Sequence, residues 1–243
     1  SRGVNLTPAG EKYHRKISAA LQLIIEAGKE ARPKDAERWL RIMVVPGFAK
    51  RWLMPRIEAL RHLRPGLKLA IEPNSTFTEV DGKSADLGIV YGLDGQYADS
   101  REALICPRVF PICTPAYLAS IAPINGPADL VRHDLIHVDD GEWWNLWFAA
   151  HDLDIHLNSD MLYVNNDHAL SVAESGQGIA LANEVLVRHE LASGKLVRAV
   201  DAQVKLESYR VLTPSAELSA DVAWFIQWLK AELEADFPEA VIN

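Results

Sequence analysis

The chain has 243 residues and 49% of them are hydrophobic, so it can bury a substantial core and does not have the composition of a disordered protein. No apolar run is long enough to span a bilayer. Two cysteines, Cys106 and Cys113, are too few for a disulfide framework, which favours a cytoplasmic location.

The net charge of −8 is unevenly distributed along the chain. Residues 1–70 hold 15 Lys and Arg against 6 Asp and Glu, whereas residues 71–243 hold 10 against 27. An acidic body of this kind is not expected to bind nucleic acid by itself. The basic front is either a solvated surface or a part that lies next to a DNA-binding element.

The first predicted element is a long helix. Thr7 is placed to cap it, with Pro8 at its first position, and it runs to about Ala31, before Pro33. Apolar residues recur at alternating spacings of four and three, which is typical of a coiled-coil seam. The seam predicts a dimerisation helix, and the alternative is an amphipathic helix packed on its own chain. The seam residues used for this prediction are Tyr13, Ile17, Ala20 and Ile24.

A β-α-β unit follows between Trp39 and Ile71. The β-branched run Leu40–Val45 predicts a buried strand, which ends at Pro46-Gly47. A short turn and then a regular helix from about Pro55 are expected, ending at Pro65-Gly66. Leu67–Ile71 is the second strand, parallel to the first. Ligands of open α/β sheets bind at the carboxyl ends of the strands, here the loop Pro46-Gly47-Phe48.

The rest of the chain continues as alternating strands and helices. Strands are predicted at Asp86–Val90, Glu102–Cys106, Val109–Thr114, Leu135–Val138, Met161–Val164, Ile179–Ala182, Leu196–Val200 and Tyr209–Leu212. Helices are predicted from Pro115, over Asn145–His151, from Asn165 or Asn166 to Gly176, and from an Asn183 cap to Gly194. The last helix carries one apolar stripe of Val222, Phe225, Ile226, Leu229 and Leu233.

Several motifs are candidate functional sites. Gly176-Gln-Gly178 leaves a helix and enters a strand, so it is a helix end and not a dinucleotide fingerprint. The His and Asp residues between positions 133 and 140 lie along a strand without a spaced ligand set, so no metal is expected. Trp143, Trp144 and Trp147 form either core or an aromatic ligand wall, with core favoured. No catalytic motif is present, so we expect neither an enzyme nor a cofactor.

A family resemblance covers about 230 residues of the chain. The order and spacing of its motifs resemble LysR-type transcriptional regulators, in the subgroup of glycine-cleavage and β-lactamase activators. The motifs are Leu6-Thr7-Pro8-Ala9-Gly10-Glu11, Trp52-Leu53-Met54-Pro55-Arg56-Ile57, Pro65-Gly66-Leu67, Ala85–Gly92, Cys113–Leu118, Asp129-Leu130, Ala173–Ala182 and Trp228-Leu229. The DNA-reading helices of that family are expected to be missing from this sequence.

The resemblance implies an α/β fold of two Rossmann-like lobes of periplasmic-binding-protein type, joined by a two-strand hinge and preceded by a long dimerisation helix. Residues 1–10 would be a remnant of the winged helix-turn-helix and residues 11–33 the linker helix. Lobe I would comprise residues 38–104 and 210–236, and lobe II residues 105–209. The hinge strands would cross around Cys106 and Tyr209.

The resemblance also implies a small-molecule effector bound between the lobes, which changes the arrangement of the DNA-binding domains. Promoter DNA, through the missing domain, and a homodimer or homotetramer are the implied partners, with no membrane. The alternative is a stand-alone solute-binding protein of a transport system. The candidate effector-binding residues are Gly47, Phe48, Ser75, Thr76, Tyr91, Asn166, Asp167, His168 and Tyr209.

Overall fold

A computed structural model of the chain describes residues 7, 13, 16–17, 39–93, 102–138, 141–157, 166–214 and 217–242, with the backbone alone at positions 102, 166 and 167. The chain divides into two compact units, residues 1–39 and residues 40–243. In the first unit Tyr13 and Ile17 are helical and exposed. Ala20 and Ile24 lie outside the described residues, so the dimerisation seam stays a prediction.

The first of two β-sheets contains five strands. They are β1 (Trp39–Val44), β2 (Lys68–Pro73), β3 (Leu87–Gly92), β4 (Glu102–Ile105) and β10 (Ser208–Leu212), in the spatial order β2-β1-β3-β10-β4. β1 and β3 are parallel, whereas β10 is antiparallel to both β3 and β4. Most residues of β1 and β3 are buried, because hydrophobic side chains pack on both faces of this sheet.

The segment after β1 confirms the expected turn before a regular helix. Pro46–Phe48 forms one helical turn, Ala49–Leu53 a π-helical turn and Met54–Arg56 a 3-10 turn, before helix α1 (Ile57–Leu63) begins. Pro55 accounts for the irregularity, because its ring nitrogen cannot donate to a helical carbonyl. The irregular turns place Phe48, Ala49, Trp52 and Leu53 in the core.

The second sheet carries the middle of the chain. Its strands are β5 (Arg108–Cys113), β6 (Leu135–Ile136), β7 (Ile179–Asn183), β8 (Val197–Arg198) and β9 (Val204–Lys205). β5 is central and pairs antiparallel with β7, β8 and β9, and β6 is parallel to β7. Four helices connect these strands: α2 (Pro115–Ser120), α3 (Glu142–Ala149), α4 (Asn166–Glu174) and α5 (Glu184–Ala192).

Two neighbouring segments of the chain cross from one sheet to the other. Cys106-Pro107 joins β4 to β5, and Leu206-Glu207 joins β9 to β10. β4 pairs with β10 and β5 pairs with β9, so the crossing segments run antiparallel side by side. The last helix, α6 (Ala220–Asp236), then packs on the first sheet. All five residues of its predicted apolar stripe are buried.

The structure differs from the sequence-based elements at a few places. Asn183 does not cap α5 with its side chain, because that side chain is hydrogen-bonded to Tyr209. Helix α3 begins at Glu142, before the expected Asn145, because the left-handed Gly141 (φ 97°) starts it. The short strand β9 was not expected, since Val204 and Lys205 alone carry no periodic signal. The predicted strand Met161–Val164 lies outside the described residues.

Separate hydrophobic clusters stabilise the two sheets. The largest lies on the first sheet and includes Phe48, Trp52 and the α6 stripe. The second sheet buries Trp144, Trp147 and Phe148 against one face. The tryptophan cluster is therefore core at two of its three positions, while Trp143 is only partly buried. Within the described residues no helix has both the length and the apolar character needed to span a membrane.

Candidate effector-binding site

A cavity of about 670 Å³ lies between the two sheets, a volume suited to a small organic molecule. Loops at the ends of the first-sheet strands form one wall, and helices α3, α4 and α5 with strand β7 form the other. The lining residues are Val45, Pro46, Gly47, Phe48, Lys50, Arg51, Ser75, Phe77, Val90, Tyr91, Leu93, Val138, Glu142, Trp143, Leu146, Ala169, Leu170, Leu181, Asn183, Leu186, Glu207 and Tyr209. Most of them are apolar, so the cavity suits a ligand with an apolar body.

Five of the nine candidate residues line this cavity. Gly47 and Phe48 follow β1, Ser75 follows β2, Tyr91 lies in β3, and Tyr209 lies in β10. Strand-end reasoning pointed to Gly47 and Phe48, because parallel strands collect their loops at one edge of the sheet, and the family resemblance pointed to the other three.

The structure does not bring Thr76 and His168 to the cavity. The Thr76 hydroxyl donates to Asn74 Oδ1 at 3.0 Å, in a local turn exposed to solvent. His168 is exposed in the first turn of α4, where the next two residues, Ala169 and Leu170, line the cavity instead. The side chains of Asn166 and Asp167 lie outside the described part of the structure.

A row of aromatic rings forms the floor of the cavity. The ring centroids of Tyr91 and Tyr209 are 4.5 Å apart, and those of Tyr209 and Phe48 are 4.7 Å apart. Trp52 extends the row into the core at 4.9 Å from Phe48. The floor is therefore rigid, because Phe48, Trp52 and Tyr209 are each at most 2% exposed.

Asn183 and Tyr209 join the two sides of the cavity by hydrogen bonding. Asn183 Nδ2 donates to Tyr209 Oη at 3.1 Å, and both side chains are buried. Burial raises the pKa of Tyr209, with Asn183 partly opposing the shift, so the phenol stays protonated at neutral pH. The pKa of Tyr91 is raised mainly by burial and then by the negative charge of Glu207.

Arg51 is the most enclosed basic residue of the cavity wall, and two carboxylates already hold it. Its guanidinium contacts Glu174 on α4 at 2.5 Å and Glu190 on α5 at 2.8 Å, and it donates to the Leu186 carbonyl oxygen at 3.3 Å. Lys195 also binds Glu174, at 2.6 Å. These bonds connect the π-helical turn after β1 to the helices of the second sheet.

The sequence analysis pointed to the start of α4 and, as the less favoured alternative, to Trp143, but it missed the other lining residues of the second sheet. Asn183 was interpreted as a helix cap, and Glu142, Trp143 and Leu146 lie on a helix that was expected to begin three residues later. Nothing local distinguishes Asn183, Glu142 and Leu146, because only the packing of the two sheets brings them to the cavity. Among the described residues, no group of three or more His, Cys, Asp or Glu side chains is placed to hold a metal ion.

Gly88 on β3 controls the position of one wall of the cavity. A Cβ at this position would lie 2.5 Å from Phe77 Cε2 and 2.9 Å from Val80 Cγ2. We therefore expect Gly88→Ala to displace the Phe77 ring and to lower the free energy of unfolding by about 1–3 kcal/mol. Urea denaturation measures this loss.

Two further variants test the explanation for Gly88. Phe77→Leu shortens the clashing side chain, so the double variant should recover part of the loss, a coupling that a double-mutant cycle reports. Gly66→Ala serves as the control, because no heavy atom lies within 4 Å of its added Cβ. Equal losses at Gly66 and Gly88, or strict additivity with Phe77→Leu, would contradict the displacement.

Comparison with known proteins gives one family. The family model described as the LysR substrate binding domain matches residues 34–234. The glycine cleavage system transcriptional activator of Escherichia coli is 27% identical over 239 residues, covering 97% of this chain and 78% of that protein. The AhcY transcriptional activator HvrB of Rhodobacter capsulatus is 26% identical over 237 residues, covering 94% of this chain and 78% of that protein.

A solved structure has the same fold. The effector domain of the transcriptional regulator AmpR of Pseudomonas aeruginosa superposes with a TM-score of 0.70 at 25% identity, covering 82% of this chain and 97% of that domain. The two-sheet architecture predicted from the sequence is therefore confirmed as that of a LysR effector domain.

Proposed function

The chain belongs to the LysR substrate-binding domain family, as the effector-binding part of a LysR-type transcriptional regulator, and from this premise we propose that the cavity between its two sheets binds the effector. The observation that carries the proposal is the cavity itself. It collects strand ends and helices from both sheets around an apolar space with a few polar groups, which is the form of a small-molecule site.

Effector binding would act through the relative arrangement of the two sheets. A ligand shifts such an equilibrium only by its difference in affinity for the two arrangements, typically about 1–3 kcal/mol. The paired crossing segments around Cys106 and Glu207 are the natural hinge, since they are the short connections between the sheets within the described residues. The predicted lobe boundaries at residues 104–105 and 209–210 lie close to these segments.

We further propose that the protein acts in the cytoplasm as a homo-oligomer, binds promoter DNA through an N-terminal domain and is not an enzyme. Sequence similarity to the E. coli activator extends over 97% of this chain, although the family model begins only at residue 34. A stand-alone transport receptor would not need the front segment. The similarity over the front segment therefore favours the regulator over the transport alternative. The predicted seam of Tyr13, Ile17, Ala20 and Ile24 would supply one dimer contact.

A thermal-shift screen of a metabolite library tests the cavity as the effector site. A ligand present at a hundred times its dissociation constant stabilises the protein by about 2.7 kcal/mol, which raises the Tm of a chain of this size by roughly 5–11 °C. Ser75→Trp should abolish the shift, because Ser75 is exposed at the cavity and an indole there would occupy the space.

Ser193→Trp is the matched control for this screen. Ser193 is exposed after α5 and does not line the cavity, so this variant should respond to the ligand as the parent chain does. A ligand that shifts the Tm of Ser75→Trp as strongly as that of the parent chain would place the effector site elsewhere.

A further inference from the structure

A short segment after α6, residues 237–241, lies alongside the crossing segments between the two sheets, and we call it the hinge strap. Its Val241 makes an antiparallel bridge to Ile105, the last residue of β4. Cys106 then donates its backbone N–H to the Ala240 carbonyl oxygen at 2.8 Å. Because β4 is the last strand in the order of the first sheet, the hinge strap occupies that edge, beside the first crossing segment.

The hinge strap is rooted in the core of the first sheet. Phe237 is 7% exposed and Ala240 is 1% exposed, and both belong to the hydrophobic cluster that includes the α6 stripe. Asp236, which precedes the strap, accepts a hydrogen bond from Trp52 Nε1 at 3.0 Å and pairs with Arg56. These contacts fix the strap to the first sheet, because moving it away would expose its apolar side chains to water.

Polar contacts attach the same segment to the second sheet. Glu239 forms an ion pair with Arg108, the first residue of β5, at 2.9 Å. The Glu239 carbonyl oxygen accepts a hydrogen bond from Nζ of Lys205, the last residue of β9, at 2.7 Å. Arg188 on α5 pairs with Asp236. Since Arg108 and Lys205 flank the two crossing segments on the second-sheet side, Glu239 holds both segments at that end.

The effector cavity is connected to the hinge strap through the crossing segments. Glu207 lines the cavity from the second crossing segment, and its carbonyl oxygen accepts a hydrogen bond from the Cys106 thiol at 3.4 Å. The backbone N–H of Cys106 in turn bonds Ala240 of the strap. None of residues 236–241 lines the cavity itself. A movement of the crossing segments therefore reaches the strap, although a ligand in the cavity does not touch it.

We propose that the hinge strap restrains the relative movement of the two sheets, as a third and noncovalent connection across the hinge. Its apolar side chains hold it to the first sheet, and Glu239 holds it to the second. Contacts that exist in one arrangement of the sheets and not in another favour the first, so the strap biases the equilibrium on which an effector acts. This inference rests on the hinge of the proposed function and not on the ligand of the cavity, so its test needs no effector.

Amide hydrogen exchange, followed by mass spectrometry on the ligand-free protein, tests the restraint. The double variant Glu239→Ala/Lys205→Met removes two side-chain attachments of the strap to the second sheet. Both side chains are exposed and the apolar root is kept, so the fold should persist. We expect exchange in peptides covering residues 104–108 and 205–208 to accelerate about threefold to tenfold, the effect of lost surface contacts on a local opening. Exchange in α1 and α2 should stay as in the parent chain.

Glu217→Ala/Arg132→Met is the matched control, because it also removes one acidic and one basic side chain. Both residues are exposed and neither belongs to the strap or to a crossing segment. This variant should leave exchange in the crossing segments unchanged. If the Glu239/Lys205 variant accelerates exchange in the strap alone, by the same factor throughout the chain, or no more than the control does, the strap does not restrain the hinge and the inference is wrong.

Ser75→Trp keeps this test separate from that of the proposed function. It fills the cavity and leaves the strap and the crossing segments as they are. Unaltered exchange in the Glu239/Lys205 variant would overturn the strap, whatever the thermal-shift screen shows for Ser75→Trp. Accelerated exchange at the hinge, together with a ligand that is insensitive to Ser75→Trp, would support the strap and overturn the cavity as the effector site.

Discussion

Trp147→Ala is expected to lower the free energy of unfolding by about 3–5 kcal/mol, which is a large fraction of the stability of an ordinary domain. Trp147 is 0% exposed and its indole Nε1 donates to the Val109 carbonyl oxygen at 3.3 Å. Its ring also contacts Trp144 and Phe148, with centroids 6.0 and 5.5 Å away. Removing the indole leaves a cavity in the core of the second sheet and takes away one hydrogen-bond donor to a buried carbonyl. Urea denaturation measures the loss.

Trp143→Ala is the matched comparison four residues earlier on the same helix. Trp143 is only partly buried and lines the effector cavity. We expect this variant to lose clearly less stability than Trp147→Ala and to weaken ligands of the cavity. Similar losses of stability in the two variants would contradict the division of the cluster into core and ligand wall.

The tryptophan cluster shows what the sequence alone can predict. The sequence predicted a short helix over Asn145–His151, and such a cluster of tryptophans is more often core than ligand wall. The structure puts Trp144 and Trp147 in the core and Trp143 at the cavity. The division depends on which face of α3 points to the other sheet, and that is a property of tertiary packing.

Strands and their ends were predicted better than side-chain partners. Gly47 and Phe48 were found because a β-branched run and a Pro-Gly break mark where the first strand ends, whereas Tyr91 was chosen from the family resemblance. Thr76 was chosen for its hydroxyl, yet that hydroxyl bonds Asn74 two residues away. Short-range hydrogen bonds of this kind compete with ligand binding and do not alter the hydrophobic pattern.

Arg51 is the clearest residue that no sequence pattern distinguished. It belongs to a basic run, Lys50-Arg51, which would ordinarily be a solvated surface. The π-helical turn after Phe48 instead directs it to carboxylates that are 123 and 139 residues later in the chain. Contacts of such long range follow from the docking of two sheets and have no local signature.

The side chain of Arg51 is therefore expected to hold the two sheets in the arrangement seen here. The side chain of Arg51 is 14% exposed, and those of Glu174 and Glu190 are 17% and 21% exposed. Breaking a fully buried pair costs about 3–5 kcal/mol, and partial exposure reduces this to roughly 2–4 kcal/mol for Arg51→Met. The loss should be measured by urea denaturation at pH 7.

Two comparisons identify the ion pairs as the cause of the Arg51 effect. In a double-mutant cycle with Glu174→Gln the combined loss should be smaller than the sum of the single losses, because both variants break the same bond. Arg132→Met is the control, because Arg132 is 77% exposed and its ion pair with Asp129, at 3.5 Å, lies on the surface. This variant should change the free energy of unfolding by less than about 1 kcal/mol. Additive losses at Arg51 and Glu174 would show that Arg51 acts through packing alone.

The loss of stability in Arg51→Met should depend on pH, because the Glu174 carboxyl that pairs with Arg51 titrates. Burial alone would raise the pKa of this carboxyl, but hydrogen bonds from Lys195 and Arg51 and their charges lower it overall. A carboxyl with a lowered folded-state pKa contributes its stability above the ordinary pKa of Glu, about 4.3, and loses that contribution as pH falls through the folded value. The difference in free energy of unfolding between the parent chain and Arg51→Met should thus be largest at pH 7 and shrink as the pH falls below about 4. A difference that stays constant down to acid pH would contradict an ionic connection, because a contact made only by the apolar part of Arg51 does not titrate.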